Sequence, residues 1–264
     1  MIIEFGMTMF KIFYLKKVHM KKLSLLFLLL AIFASCKKEK PPVTIPVKFT
    51  ATTYQTLGAA DNTGKPLKMD TPDVVSDSLL TYIHTTLPEH VNLATSRPDL
   101  LSSTSIGDIA ITQKSEIDIT YVSDGTGNSD AIAFYTYPTN SPPASAADIK
   151  VITYIFPNAG AGTTLKAGDK VNIGTFDVGT SVGFVLLQNA FNMTTGTLNN
   201  DAVHFCSNDV LNPEVDPAKK KHTVLLNYPA ENKTLIGFED LNRTDPWCDN
   251  DFNDVVIYAS WKLK

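Results

Sequence analysis

The sequence predicts an all-β protein, a β-sandwich or jelly-roll of about nine strands with a short helical segment on its N-terminal side. Three observations carry this. Beyond about residue 105 the apolar residues take a period of two, as where Ile117, Ile119 and Tyr121 alternate with Asp118 and Thr120. The runs are short and separated by clusters of Gly, Pro, Asn and Asp, which are turn formers. No helical periods are interleaved with them, as a parallel α/β sheet would require.

Taken in order, residues 51–110 form an N-terminal segment with one helix. The helix is expected over 70–87, with Thr71 as cap, Pro72 in the first helical position and Pro88 as terminator. Val75, Leu79, Tyr82 and Ile83 make one apolar stripe, read as a packing face. The β domain follows over 111–264. Its strands are expected at 117–121, 131–137, 151–156, 170–173, 182–187, 202–206, 223–228, 234–238 and 255–261. There is no internal repeat and no second domain in the pattern.

Residues 1–35 read as a secretory signal rather than as part of the fold. Lys21 and Lys22 precede an apolar run at 23–33, too short for the roughly 20 residues that a bilayer core requires. Met20-Lys21-Lys22 begins a complete signal, so Met20 is the expected start. Phe33-Ala34-Ser35-Cys36 resembles a lipobox, which implies cleavage by signal peptidase II before a lipidated Cys36. Residues 36–50 then form a charged, Pro-containing tether. Its charges loosely resemble the export tags of surface-exposed Bacteroidetes lipoproteins, with Glu39 alone where those tags carry paired acids. The expected location is the bacterial envelope, as an outer-membrane lipoprotein facing the cell surface, with the membrane as partner through the lipid.

A net charge of −4 supplies no basic field for phosphate, so nucleic acid is not an expected partner. No HExxH, zinc-finger spacing, Gly-x-Ser-x-Gly or phosphate-binding glycine loop is present. With Cys36 set aside, Cys206 and Cys248 remain, and in an oxidising compartment they are expected to form one disulfide.

The most informative stretch is Gly237-Phe238-Glu239-Asp240-Leu241-Asn242 with Asp249-Asn250-Asp251-Phe252-Asn253-Asp254-Val255-Val256. Glu239, Asp240, Asp249, Asp251, Asn253 and Asp254 bring hard oxygen donors close together, which suits Ca²⁺. The spacing is not that of an EF-hand, because Asp254 and Ser260 stand where Gly and Glu are needed. Two other readings stay open: Asp and Asn as turn caps, and Glu239 with Asp251 or Asp254 as a catalytic carboxylate pair.

These residues closely resemble the LruC-type domain, domain of unknown function 4114. Ile119 to Gly127, Phe134 to Pro138, Ile155 to Ala159, Gly183 to Leu187, Leu211 to Glu214 and His222 to Leu226 fit the same family, so the resemblance covers about 115–262. Where the family often has Glu-Gly-Ala-Gly, this chain has Asp124-Gly125-Thr126-Gly127. The resemblance implies a secreted or surface location and attention to the recurrent acids, but no particular reaction. The expected function is a calcium-stabilised surface module for adhesion or assembly, with an extracellular protein or glycan as ligand. The alternative is a glycan-directed hydrolase using the acids.

Overall fold

In the computed structural model, residues 47–102 and 107–264 are described. The signal segment 1–35, Cys36 and the tether up to residue 46 lie outside them. The described residues from 47 onward fall in one compact unit. Among them, no helix is long and apolar enough to cross a membrane.

Among the described residues, thirteen strands and two α-helices follow one another. The early segment contributes β1 (Thr53–Thr56), α1 (Asp77–Thr86), α2 (Leu93–Ser96) and β2 (Ile109–Ala110). Then come β3 (Ser115–Asp124), β4 (Ala131–Pro138), β5 (Val151–Phe156), β6 (Lys170–Phe176) and β7 (Thr180–Leu187). The series ends with β8 (Phe191–Asn192), β9 (Thr197–Leu198), β10 (His204–Cys206), β11 (Thr223–Tyr228), β12 (Lys233–Phe238) and β13 (Val255–Leu263). All nine expected strands are present, and the fold is a β-sandwich. The four further strands, β1, β2, β8 and β9, have four residues or fewer, too few to display a period.

One sheet runs β1-β5-β4-β7-β10, with β2 also paired to β7; the other runs β11-β12-β13-β3-β6. Ile117, Ile119 and Tyr121 of β3 point between the sheets and meet Ile132 and Phe134 of β4 and Val182, Phe184 and Leu186 of β7. The opposite face of the second sheet is buried as well. There Val122, Val224, Leu226, Leu235, Val256 and Tyr258 pack under Leu79 and Ile83 of α1 and Leu87 just after it. Full burial of such a Leu or Ile side chain contributes about 1.5–3 kcal/mol, so the α1 stripe fixes the helix on the sheet.

The helix begins later than expected. Asp70 bridges to Lys170, the Asp73 N–H donates to the Gly168 carbonyl at 2.9 Å, and Lys170 donates to the Asp73 carboxylate at 2.7 Å. These bonds hold residues 70–73 extended along β6, so Thr71 and Pro72 do not start the helix. Ser76 caps it instead, its Oγ accepting from the Leu79 N–H at 3.1 Å.

The expected Cys206–Cys248 disulfide is not formed; both residues are free cysteines. Cys206 is buried in β10 among the apolar residues on the outer face of the first sheet. Cys248 is half-buried beside Glu239 in the loop after β12. Leftover pairing from a cysteine count is a compositional argument, and these two side chains serve different surroundings.

Candidate metal centre

Three neighbouring strands end at one level. Phe238 of β12 is opposite Val255 of β13, which is opposite Asp124 of β3, and Thr223 of β11 is opposite Phe238 on the other side. The chain leaving these ends is therefore gathered at one edge of the sheet: loop 239–254, loop 125–130 and His222. The Gly125 N–H donates to the Asp254 carbonyl at 2.9 Å, and the Glu239 N–H to the His222 carbonyl at 2.9 Å, extending the ladder by one step.

The loop 239–254 folds back over the sheet because Gly237 has no side chain. A Cβ at that position would fall 2.4 Å from the Phe252 carbonyl oxygen and 2.7 Å from Leu87 Cδ1. Phe252 is fully buried in the cluster under α1, and the Arg243 guanidinium lies over its ring, 5.2 Å from the centroid. Arg243 also donates from Nε to the Asn250 Oδ1 at 2.8 Å and from one terminal nitrogen to the Lys221 carbonyl at 3.0 Å. Asn250 and Phe252 both have positive φ, 62° and 61°. The left-handed region suits Asn, but for Phe it is strained by about 1–3 kcal/mol. Between them, Asp251 is turned inward and is almost wholly buried.

Two acid triads result. In each, one ligand atom per residue lies within 4.8 Å of the others: Glu239 with Asp249 and Asp251, and Glu239 with Asp240 and Asp254. Glu239 belongs to both. Its Oε1 accepts weakly from the Leu241 N–H at 3.4 Å, and its Oε2 is buried with no hydrogen-bond partner. The Asp251 Oδ2 accepts from the His90 N–H at 2.8 Å, and its Oδ1 from the Asn253 N–H at 3.1 Å. Asp240 is held by Thr126 and by Asn128, whose Nδ2 donates to its Oδ2 at 3.0 Å. Burial, followed by mutual repulsion with Asp240 and Glu239, pushes the Asp254 carboxyl far above the carboxylate range. Glu239 is raised by burial and by its acidic neighbours, and Asp251 by burial first. Among the described residues, the only ion pair these acids make is Asp249 with His90, 2.9 Å apart.

Five of the six expected donors thus converge. Asn253 is differently engaged: its Nδ2 donates to the Leu87 carbonyl at 3.3 Å and ties the loop to the end of α1. Asp124 also stands apart, accepting the Tyr121 hydroxyl at 2.6 Å. Three acid or histidine residues not expected from the sequence line the site. Glu89 and His90, just after α1, form a third group with Asp251 at the outer mouth. Asp130, fully buried before β4, lies against Asp240, and its Oδ2 has no hydrogen-bond partner. Burial and then the Asp240 charge push its carboxyl up to about 9. Gly160 makes room for this loop, since a Cβ there would fall 2.2 Å from the Asn128 carbonyl oxygen. An acid isolated in sequence gives no signal of this kind.

Residues 176–262 match the family model of a domain of unknown function, DUF4114. Over that segment the chain is similar to the DUF4114 family. The match runs from the last residue of β6 to β13 and is shorter than the 115–262 over which the sequence resembles the family. Every acid of the two triads lies inside the DUF4114 segment, whereas Glu89, His90, Thr126, Asn128 and Asp130 come from the chain before it. No curated protein and no solved structure matches the chain.

Proposed function

We propose that this protein is a non-enzymatic lipoprotein module of the bacterial cell surface whose DUF4114 domain binds Ca²⁺ at the acidic edge of its second sheet. The observation that carries the calcium reading is the Glu239 Oε2: a buried carboxylate oxygen with no donor, on the residue common to both triads. A buried polar atom without a partner costs about 1–3 kcal/mol, and more when charged, unless an ion or proton occupies the gap. The donors are oxygens, which suits Ca²⁺ better than a soft transition metal.

Burial speaks against the hydrolase alternative. Glu239, Asp240 and Asp251 are each no more than 2% exposed, so a glycosidic oxygen has no route to them. Within each triad the spacing suits a small ion, whereas a sugar ring must enter between two catalytic carboxylates.

The lipid on Cys36 would hold the domain at the outer membrane, and the acidic loop would face outward for adhesion or assembly. Trp247 on the same loop is 86% exposed and offers an aromatic surface to an extracellular protein or glycan. The test is a melting curve of the purified soluble domain in chelator and in millimolar calcium. Calcium at tenfold over Kd adds about 1.4 kcal/mol, a rise of about 3–6 °C for a domain of this size. Identical curves would remove the calcium reading. For the anchor, Cys36→Ala should leave unprocessed or unanchored protein; a cleaved but unmodified N-terminus in the wild type would contradict it.

A further inference from the structure

One calcium ion held by Glu239, Asp249 and Asp251 leaves Asp130, Asp240 and Asp254 behind it, buried or half-buried and without any cation within ion-pair distance among the described residues. We propose that the site is binuclear: an outer divalent cation bound by Glu239, Asp249 and Asp251, and an inner one bound by Glu239, Asp240 and Asp254, with Glu239 bridging the two and Asp130 closing the inner side. The inference rests on the calcium reading and extends it from one ion to two.

Three features of the geometry support it. Glu239 is common to both triads, and a carboxylate has two oxygens with which to serve two ions. Carboxylate-bridged metal pairs typically stand about 3.5–4 Å apart, which two triads sharing one residue can accommodate. The second feature is independent of the triads. The Asp130 Oδ1 accepts the Asn189 N–H at 2.6 Å, yet its Oδ2 is buried, unpartnered and set beside the Asp240 carboxyl. A buried acid oxygen with no donor beside the inner triad is a ligand atom available to a cation there. Last, the Asp240 Oδ2 is fixed from its far side by Thr126 and Asn128, and Asp254 is fixed by the Asp240 N–H at 2.8 Å. The inner donors are thus held in place before any ion arrives, as a high-affinity site requires.

The two positions differ in access. The outer one has Asp249 with its side chain 38% exposed, beside the exposed His90, so water completes its shell and the ion exchanges readily. The inner one is enclosed by loop 125–130 and the Gly160 turn, so its ion is bound more tightly and leaves more slowly.

The experiment is native mass spectrometry of the intact soluble domain titrated with calcium, with Asp249→Asn, Asp254→Asn and Asp130→Asn as variants. Each amide keeps an oxygen for the existing hydrogen bond, and circular dichroism verifies the fold. The proposal predicts two ions per chain in the wild type, filling in two steps. It predicts that Asp249→Asn retains one tight ion and that Asp254→Asn loses the tight step. If Asp254→Asn does not fold, Asp130→Asn carries the test and should weaken the tight step at least tenfold. A single ion that Asp249→Asn abolishes and Asp130→Asn leaves unchanged would overturn the second site while sparing the first. No bound ion at all would overturn both.

Discussion

The Asp254 Oδ2 accepts the backbone N–H of Asp240 at 2.8 Å, so the last acid of loop 239–254 is tied to the loop's second residue. This one bond closes the loop upon itself and sets two repelling carboxyl groups side by side. The two effects can be separated by substitution. Asp254→Asn keeps an oxygen for the Asp240 N–H and removes an acid that burial and its acidic neighbours hold out of its charged form, so the calcium-free protein should gain about 1 kcal/mol, or about 2–4 °C in Tm. It should also lose most of its response to calcium. Asp254→Ala removes the acceptor as well and should melt below the wild type. Calorimetry of the three proteins in chelator checks the order Asn, wild type, Ala.

Gly237→Ala tests the packing that turns the loop inward. The added methyl would meet the Phe252 carbonyl and Leu87, so either the loop or α1 must shift. Overpacking of this kind costs about 1–3 kcal/mol. Denaturant unfolding should register that loss, and calcium affinity should fall with it. An unchanged midpoint would mean that the loop is not seated on β12 as described.

His204 provides a pH-dependent contribution away from the acidic edge. It stacks on Phe49 with centroids 4.2 Å apart, and its Nε2 meets the Tyr54 hydroxyl at 2.7 Å. Burial lowers its pKa to about 4. A folded pKa below the unfolded value of 6.5 means that this contribution is complete above pH 6.5 and is lost as pH falls toward 4. The loss is of the order of 3 kcal/mol by pH 4. His204→Gln should therefore flatten stability against pH in that window, and equal slopes for variant and wild type would refute it.

How far the sequence discloses this protein depends on the range of the interactions involved. Strands such as β5 and β11 are legible because each is a short apolar run bounded by turn formers, and both are buried on both faces. The start of α1 is not, because Asp73 and Lys170 decide it across the fold. The acids Glu239 to Asp254 stand out because they are neighbours in sequence. Asp130 joins them only through the common ending of β3, β12 and β13, and Glu89 and His90 only through the packing of α1 on that sheet, both long-range relations. The disulfide expectation fails for a related reason: counting cysteines carries no information on which side chains meet.

The thiols offer a direct chemical check. Burial raises the pKa of both Cys206 and Cys248, so neither should react quickly with an alkylating reagent in the folded protein. After unfolding without reductant, both should be modified. Peptide mapping that finds them joined in protein recovered from the envelope would contradict the free-thiol arrangement.

The unpartnered oxygen of Glu239 is the point at which a cation should be met. A crystal structure of the soluble domain grown with calcium tests it most directly, through the anomalous difference map. A peak is expected about 2.3–2.6 Å from the Glu239 Oε2, the usual calcium–oxygen distance, with Asp249 and Asp251 or Asp240 and Asp254 as further ligands. A map without a peak there, with the carboxyls bonded to each other or to water, would contradict it.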